Sequence, residues 1–291
     1  MTCPFDVVVI KYKNILKYYG RKQAGKHKMS VDEYAGDIST ILQKGSKTDI
    51  RMKSFAVTDI GRKRTINQDY VYNTDDNIGH FSNLYIVADG MGGHNAGDMA
   101  SRICVETVCS SIADSEFTTP VSILEEAVRT SNERVREVAG TSQEYEGMGT
   151  TLVISTVLDG VLYVANIGDS RLYLLRESLE QITEDHSLVE EMVKSGELAK
   201  EKVRSHPNKN IITRALGIGA DVEADYFQIE VMENDIILMC SDGLTNMIED
   251  IDIEYTIKNN RDNPQKAMME LLSKANEAGG RDNITVLVVK V

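Results

Sequence analysis

The sequence lacks long apolar runs, a basic leader and a cysteine framework, and each absence narrows the class of protein. No apolar run approaches the roughly 18 residues that a membrane-spanning helix needs. The first residues, "MTCPFDVVVIKYK", are a poor signal peptide because no basic segment precedes their short apolar stretch. The four cysteines (Cys3, Cys104, Cys109 and Cys240) have no zinc-type spacing, so we expect them to be reduced and buried. We therefore expect a cytoplasmic protein.

Positive charge is also scarce over most of the chain. The formal net charge of −13 over 291 residues disfavours nucleic acid and anionic membranes as partners. Residues 1–51 hold ten Lys and Arg against five Asp and Glu, whereas residues 52–291 hold 22 against 40. This step predicts a boundary near Met52, between a basic, weakly ordered N-terminal extension and a separate domain of residues 52–291. The alternatives for the extension are an anchor or docking tail, and upstream translation that the true product lacks.

Residues 52–291 contain both apolar runs typical of strands and one-sided patterns typical of helices. Strands are predicted at "SFAVT", "LYIVAD", "TTLVIST", "VLYVANI", "RLYLLR", "DIILMCSD" and "NITVLVVKV". Asp159-Gly160 between two of these runs predicts a hairpin and therefore antiparallel pairing. Helices are predicted at about 96–112, from Pro120 onward, and at about 264–278. Strands grouped together with helices outside them indicate a layered α+β domain.

Five aspartates adjoin these strand patterns. For any one of them a turn is the simpler interpretation, because Asp-Gly is a common turn dipeptide. Taken together they predict one shared site, because strands that are apolar throughout are buried and their ends converge inside the fold. Carboxylates brought close together repel one another unless a cation neutralises them, and oxygen ligands without a His or Cys cluster favour Mg²⁺ or Mn²⁺. The five are Asp69, Asp89, Asp169, Asp242 and Asp282.

Glycines and an arginine accompany these acids. In "VADGMGGHNAG" the absent side chain of Gly90 lets its carbonyl approach an ion that Asp89 also binds. Arg64, five residues before Asp69, offers a bidentate fork for phosphate oxygens. Alone it would be an ordinary surface charge, but beside a cation cluster it is a candidate substrate clamp.

Six motifs in this order resemble the type 2C, metal-dependent protein serine/threonine phosphatase family in its bacterial form. They are "GRKRTINQD", "VADGMGGHNAG", "GMGTT", "ANIGDSRLY", "LMCSDGL" and "GGRDNITVLVV", which together span nearly all of residues 52–291. The resemblance implies a four-layer α-β-β-α sandwich, in which helices flank two central antiparallel sheets. It also implies two catalytic Mn²⁺ or Mg²⁺ ions in a cleft at the sheet ends, and a third, weaker ion.

Carried over by position, the resemblance implies a role for each acid. Asp89 would bridge both ions, and the Gly90 carbonyl would bind one of them. Asp242 and Asp282 would complete the shell of the first ion. Asp169 would bind the third ion together with Asp242.

Further roles concern the substrate side of the cleft. Asp69 would act near the ions, directly or through water, and Arg64 would hold the phosphate. Many eukaryotic members have a histidine directly after the Asp-Gly, where this chain has Met91. His94 is a candidate general acid in its place, and a histidine that only hydrogen-bonds the backbone is the alternative. The polar insertion 184–216 matches the family's flap, which is associated with substrate choice, and we call it the flap segment.

The implied reaction is hydrolysis of phosphoserine and phosphothreonine on proteins by direct attack of a metal-bridging hydroxide. We expect phosphorylated proteins as substrates, an opposing bacterial Ser/Thr kinase, and a monomer that binds neither nucleic acid nor membrane. No Cys-x5-Arg pattern is present, which disfavours the cysteine-dependent phosphatases. The alternatives are a catalytically silent binding or regulatory module of the same fold, and a hydrolase of small phosphate esters.

Overall fold

The computed structural model describes residues 52–93 and 96–291, so the expectations for residues 1–51 and for His94 lie outside the described residues. Two antiparallel sheets form its centre. The first has the strand order β1-β11-β10-β7-β8, with β1 Lys53–Asp59, β7 Arg171–Leu175, β8 Leu179–Gln181, β10 Ile236–Cys240 and β11 Ile284–Lys290. The second has the order β2-β3-β5-β6-β9, with β2 Asp69–Thr74, β3 Leu84–Met91, β5 Leu152–Leu158, β6 Val161–Ile167 and β9 Asp225–Glu230. A short strand β4, Gly149–Thr150, pairs with the end of β3.

Helices cover the outer face of each sheet. Their bounds are α1 Ala96–Ala113, α2 Pro120–Ala139, α3 Leu188–Ser195, α4 Asp242–Thr245, α5 Asp250–Asn259 and α6 Pro264–Glu277, with 3₁₀ turns at Gln143–Tyr145 and Lys200–Ser205. The first two helices pack on the second sheet, and α5 and α6 pack on the first. The α-β-β-α sandwich expected from the motifs is confirmed. None of the helices in the described ranges is both long and apolar enough to cross a membrane.

The strand β11 illustrates why the central strands are apolar on both faces. Leu287 and Val289 join the core between the two sheets, whereas Val286 and Val288 face the α5–α6 layer. Alternation with a period of two residues thus places every side chain in one of two cores. Both sheets are buried between layers, so a continuous run of aliphatic residues is the pattern this architecture requires.

The sequence signals for helix starts and for the hairpin are confirmed. Thr119 caps α2 and Asn263 caps α6, each followed by proline in the first turn. The flap segment contains α3, which is capped by Ser187. Asp159 and Gly160 both have positive φ, 50° and 79°, as a two-residue hairpin between β5 and β6 requires.

Three expectations need correction. Strand β3 does not end at Asp89 but runs to Met91, because Gly90 and Met91 pair with β4. The one-turn helix α4 and the helix α5 were not predicted. Cys104 and Cys240 are buried thiols, but Cys109 is only half-buried, at the edge of the core under α1.

Candidate active site

The cleft is built where strands of both sheets end or begin. Asp69 opens β2 directly opposite Asp89 on β3, since the two are Cα partners in the antiparallel pair. Asp242 follows β10 at the start of α4, and Asp282 lies two residues before β11. Asp169 lies in the connection between β6 and β7. The five aspartates singled out in the sequence therefore converge from six strands.

Asp69 is held by hydroxyls from the opposite sheet. Its Oδ2 atom accepts hydrogen bonds from Ser241 Oγ and Thr285 Oγ1, each at 2.7 Å. Its Oδ1 atom is buried and has no hydrogen-bond donor within the described residues. Asp69 and Asp89 are Cα partners, so their carboxylates repel each other unless a proton or a cation neutralises them.

The glycines after Asp89 permit close backbone contact with helix α1. A Cβ on Gly90 would lie 1.9 Å from the carbonyl oxygen of Gly97 and 2.7 Å from that of Gln68. The Gly90 N–H donates to the same Gln68 carbonyl at 3.0 Å. The glycine cluster thus brings the first turn of α1 against the carboxylate-bearing strand, which no residue with a side chain allows.

Asp242 and Asp282 come together through a second glycine contact. A Cβ on Gly243 would lie 1.8 Å from the carbonyl oxygen of Asn283. The start of α4 therefore packs directly on the backbone next to Asp282. Asp282 Oδ2 accepts from Arg64 Nη2 at 2.8 Å, an ion pair in which the arginine side chain is 49% exposed. Arg64 is thus at the rim of the cleft and open to solvent.

Asn283 ties the Arg64 loop to this cluster. Its buried side chain accepts from the Gln68 N–H at 2.9 Å and donates to the carbonyls of Ile60 and Ile66 at 3.0 Å. These bonds fix both ends of the loop that carries Arg64. The sequence prediction did not include Asn283.

The Asp169 turn is bonded to the flap segment. The Gly168 N–H donates to His186 Nδ1 at 3.1 Å, and the His186 N–H returns a bond to the Gly168 carbonyl at 2.8 Å. His186 is buried and its Nε2 lies 3.3 Å from Asp225. These contacts give His186 a structural role between the Asp169 turn and the flap segment. Beside the turn, Arg171 and Asp185 form a bidentate pair with a shortest N–O distance of 2.7 Å.

Burial and mutual repulsion raise the pKa of several of these carboxyl groups. Each of Asp89, Asp169, Asp242 and Asp282 keeps some exposed surface, as in an open cleft, but is otherwise enclosed by protein. Burial raises the pKa of Asp89 well above its usual value, and the charges of Asp69, Asp242, Asp169 and Asp282 add to the effect. The pKa of Asp242 is also raised well above its usual value, first by burial and then by its acidic neighbours.

The pKa values of Asp69 and Asp169 are also raised, and burial is again the main cause. Burial raises the pKa of Asp69 to about 6, although hydrogen bonds from Thr285 and Ser241 act in the opposite direction. Burial and the nearby charge of Asp185 raise the pKa of Asp169 to about 7. A cation in the cleft would reverse each shift, because opposite charge favours the ionised carboxylate.

These residues fit a hard divalent ion. In the part of the chain that the structure describes, no group of three or more His, Cys, Asp or Glu side chains is arranged so that it could by itself hold a metal ion. Mg²⁺ does not need such a group, since it typically keeps several waters and binds one or two carboxylates. The buried Asp69 Oδ1 without a donor and the raised pKa values are the features that an ion would resolve.

A carboxylate-lined cleft between two sheets, with an arginine at its rim, has the groups that a metal-dependent phosphatase needs. The family model for protein phosphatase 2C matches residues 61–278, so this chain belongs to the protein phosphatase 2C family.

Named relatives and solved structures resemble the chain over most of its length. The serine/threonine phosphatase stp of Listeria welshimeri is 42% identical over 80% of this chain and 93% of that protein. Protein phosphatase PhpP of Streptococcus pneumoniae is 39% identical over 82% and 98%. The S. agalactiae serine/threonine phosphatase structure has a TM-score of 0.76 and 38% identity, covering 82% and 99%. The catalytic domain of the phosphatase PstP, in complex with two manganese ions, has a TM-score of 0.72 and 32% identity, covering 82% and 97%.

Proposed function

We propose that this chain removes phosphate from phosphoserine and phosphothreonine on proteins, by direct displacement at phosphorus. The observation that carries the proposal is the buried Asp69 Oδ1 without a donor, opposite Asp89 in a cleft of mutually repelling carboxylates. Family membership and relatives that are 39–42% identical to the chain support the same activity.

The ions of this reaction would be two Mn²⁺ or Mg²⁺, held in the same cleft. Asp89 would be a ligand of both ions and the Gly90 carbonyl a ligand of one, and Asp242 with Asp282 would complete the shell of the first ion. The two manganese ions in PstP support this number. Asp169, together with Asp242, would hold a third and weaker ion. When bound, such ions lower the pKa of a coordinated water and neutralise charge on phosphoryl oxygens.

The side chains of this chain would bind and orient the substrate. Arg64 would exchange its bond to Asp282 for two parallel bonds to phosphate oxygens, once an ion neutralises that carboxylate. Asp69 would accept a hydrogen bond from a water through its unsatisfied Oδ1. His94 remains our candidate for protonating the departing Ser or Thr oxygen.

The biological setting follows from the substrate class. We propose that the substrates are phosphoproteins made by a Ser/Thr kinase, that the enzyme acts in the cytoplasm, and that it is a monomer. Residues 52–291 would be the complete catalytic domain, with the basic extension outside the catalytic machinery. The flap segment 184–216 would contact the substrate protein.

The test is hydrolysis of a phosphothreonine peptide with Mn²⁺ and then with excess EDTA. We expect Mn²⁺-dependent phosphate release that EDTA abolishes, and its loss in Asp242→Ala without loss of far-UV circular dichroism. Asp221→Ala, which removes an exposed acid without a described partner, is the matched control. Peptide binding without turnover would favour the silent module. Turnover of p-nitrophenyl phosphate alone would favour the small-ester hydrolase.

A further inference from the structure

The flap segment reaches the Asp242 carboxylate through one intervening side chain. Lys209 Nζ donates to Asn246 Oδ1 at 2.7 Å, and Asn246 Nδ2 donates to Asp242 Oδ2 at 2.8 Å. Three side chains thus form a continuous path from an insertion to a proposed ion ligand. The Oδ1 atom of Asp242 is left free of side-chain donors within the described ranges.

The chemistry of the two neighbours determines the orientation of the Asn246 amide. An ammonium group has only donors and a carboxylate has only acceptors. The amide oxygen must therefore point to Lys209 and the amide nitrogen to Asp242. A rotated amide would place its oxygen against the carboxylate and its nitrogen against the ammonium, which is unfavourable at both ends.

Hydrogen bonds to the backbone of α4 and the residues after it hold both ends of this path in place. Asn246 lies four residues after Asp242, so the single turn of α4 places both side chains on one face, and the Asn246 N–H donates to the Asp242 carbonyl at 2.7 Å. On the flap side, Arg204 Nη1 donates to the carbonyl oxygens of Thr245 and Ile248 at 2.8 and 3.3 Å. These bonds anchor the 3₁₀ turn of the flap segment to the end of α4.

We propose that Asn246 is a positioning residue for the Asp242 carboxylate, and that Lys209 acts through Asn246 to couple the flap segment to divalent-ion binding. The inference rests on the proposed function, which assigns Asp242 to an ion. Asn246 holds Oδ2 and presents Oδ1 to the ion, as hydrogen-bond partners of metal ligands generally do. Because coupling is reciprocal, a bound ion strengthens the docking of the flap segment by the same factor.

A direct electrostatic effect of Lys209 has to be separated from its action through Asn246. The ammonium charge also repels a divalent ion through space, and this repulsion does not depend on the amide. A double-mutant cycle makes the separation, since the repulsion is present in both backgrounds and the hydrogen-bonded path in only one. Lys209→Met and Asn246→Leu are the two substitutions, each of which keeps the approximate length or volume of the side chain.

The experiment titrates the full chain with Mn²⁺ alone and follows the free ion by electron paramagnetic resonance. We expect Asn246→Leu to raise the Kd for Mn²⁺ about tenfold. We expect the factor by which Lys209→Met changes Kd to differ about fivefold between the wild-type background and the Asn246→Leu background. Hydrogen exchange is a second readout: Mn²⁺ should slow exchange at residues 200–210 in the wild type, and much less in Asn246→Leu. Lys202→Met, an exposed flap lysine without a described side-chain partner, is the control and should change neither.

A Kd within about twofold of wild type for a folded Asn246→Leu would overturn the positioning role. An identical Lys209→Met factor in both backgrounds would overturn action through Asn246. Should Asn246→Leu not fold, Asn246→Ala carries the same expectation. The titration contains no substrate, so its failure is distinct from failure of the phosphatase proposal, which falls if wild type with Mn²⁺ leaves a phosphopeptide intact.

Discussion

Asp69 and Asp89 are Cα partners across the antiparallel β2–β3 pair, so two carboxyl groups face each other in the cleft. Like charges directly opposite in a sheet are destabilising, and here burial adds to the effect. The metal-free protein therefore carries an electrostatic cost that ion binding removes.

The first prediction concerns the pH dependence of stability. The pKa of Asp89 is raised in the folded state, so its stabilising contribution is present below pH 4 and is lost as pH rises through the folded value. Asp89→Asn should therefore raise the unfolding free energy of the metal-free protein at pH 7.5 by on the order of 1 kcal/mol or more. Urea denaturation in EDTA at pH 5 and 7.5 measures this. A wild type that is as stable as the variant at pH 7.5 would contradict the prediction.

The second prediction concerns the phosphate clamp. Arg64→Ala should raise KM for a phosphopeptide roughly tenfold or more, with a smaller change in kcat, because it removes charge-assisted hydrogen bonds to phosphate oxygens. Arg64→Lys should recover only part of the loss, since an ammonium lacks the bidentate fork. Steady-state kinetics with Mn²⁺ provide the measurement. Lys63→Ala, the adjacent exposed cation, is the control, and an unchanged KM in Arg64→Ala excludes the clamp role.

The third prediction concerns Asn283. Asn283→Asp keeps the shape but replaces the donor group to the Ile60 and Ile66 carbonyls by an acceptor. Leaving buried carbonyls unsatisfied and burying a charge should lower the unfolding free energy by about 2–4 kcal/mol. Urea denaturation should show this loss, whereas Asn210→Asp on the exposed flap segment should change stability little. Equal stability of the two variants would show that the loop does not depend on Asn283.

The fourth prediction concerns the glycine next to Asp89. Gly90→Ala places a methyl group 1.9 Å from the Gly97 carbonyl, so β3 and α1 must separate. We expect a lower melting temperature and weaker Mn²⁺ binding. Gly140→Ala is the control, because its Cβ would make only ordinary contact, at 3.5 Å, in a right-handed conformation. That substitution should be neutral or stabilising by up to about 1 kcal/mol. A fully active Gly90→Ala would refute the close-approach argument.

The fifth prediction concerns residues 1–51. Removing them should leave kcat and KM for a phosphopeptide unchanged, because the proposed machinery lies within residues 52–291. The truncated chain, beginning at Met52, is compared with the full chain by kinetics and thermal unfolding. A loss of folding or turnover would show that the extension belongs to the catalytic domain.

Pattern and composition were sufficient for the elements that repeat a simple rule. The apolar run of β11, the capped start of α2 at Thr119 and the turn at Asp159-Gly160 each follow from local physics. A four-residue helix such as α4 is too short to show periodicity. Its position instead depends on the contact between Gly243 and Asn283, which only the folded chain makes.

The acids of the cleft, Gly90 and Arg64 were predictable from the sequence, but the side chains that hold them in place were not. Several aspartates next to apolar strands are visible in the sequence. Because carboxylates brought together by buried strands repel one another, they predict a common cation site. Ser241 and Thr285 bond Asp69 across 172 and 216 residues of chain, and short polar side chains near strand ends look like ordinary turn residues. Asn246 was not predicted either, because its partner Lys209 belongs to the flap segment and the contact forms only in the folded chain.

The hydroxyls of Ser241 and Thr285 donate hydrogen bonds to Asp69 of the facing sheet, so the carboxylate-lined cleft spans the interface between the two sheets. A small shift of one sheet relative to the other would break these two hydrogen bonds while leaving the strand pairing within each sheet intact. During heating, turnover should consequently vanish ahead of the far-ultraviolet signal. Loss of turnover would therefore report a loosening of the contact between the two sheets before the strands themselves unfold.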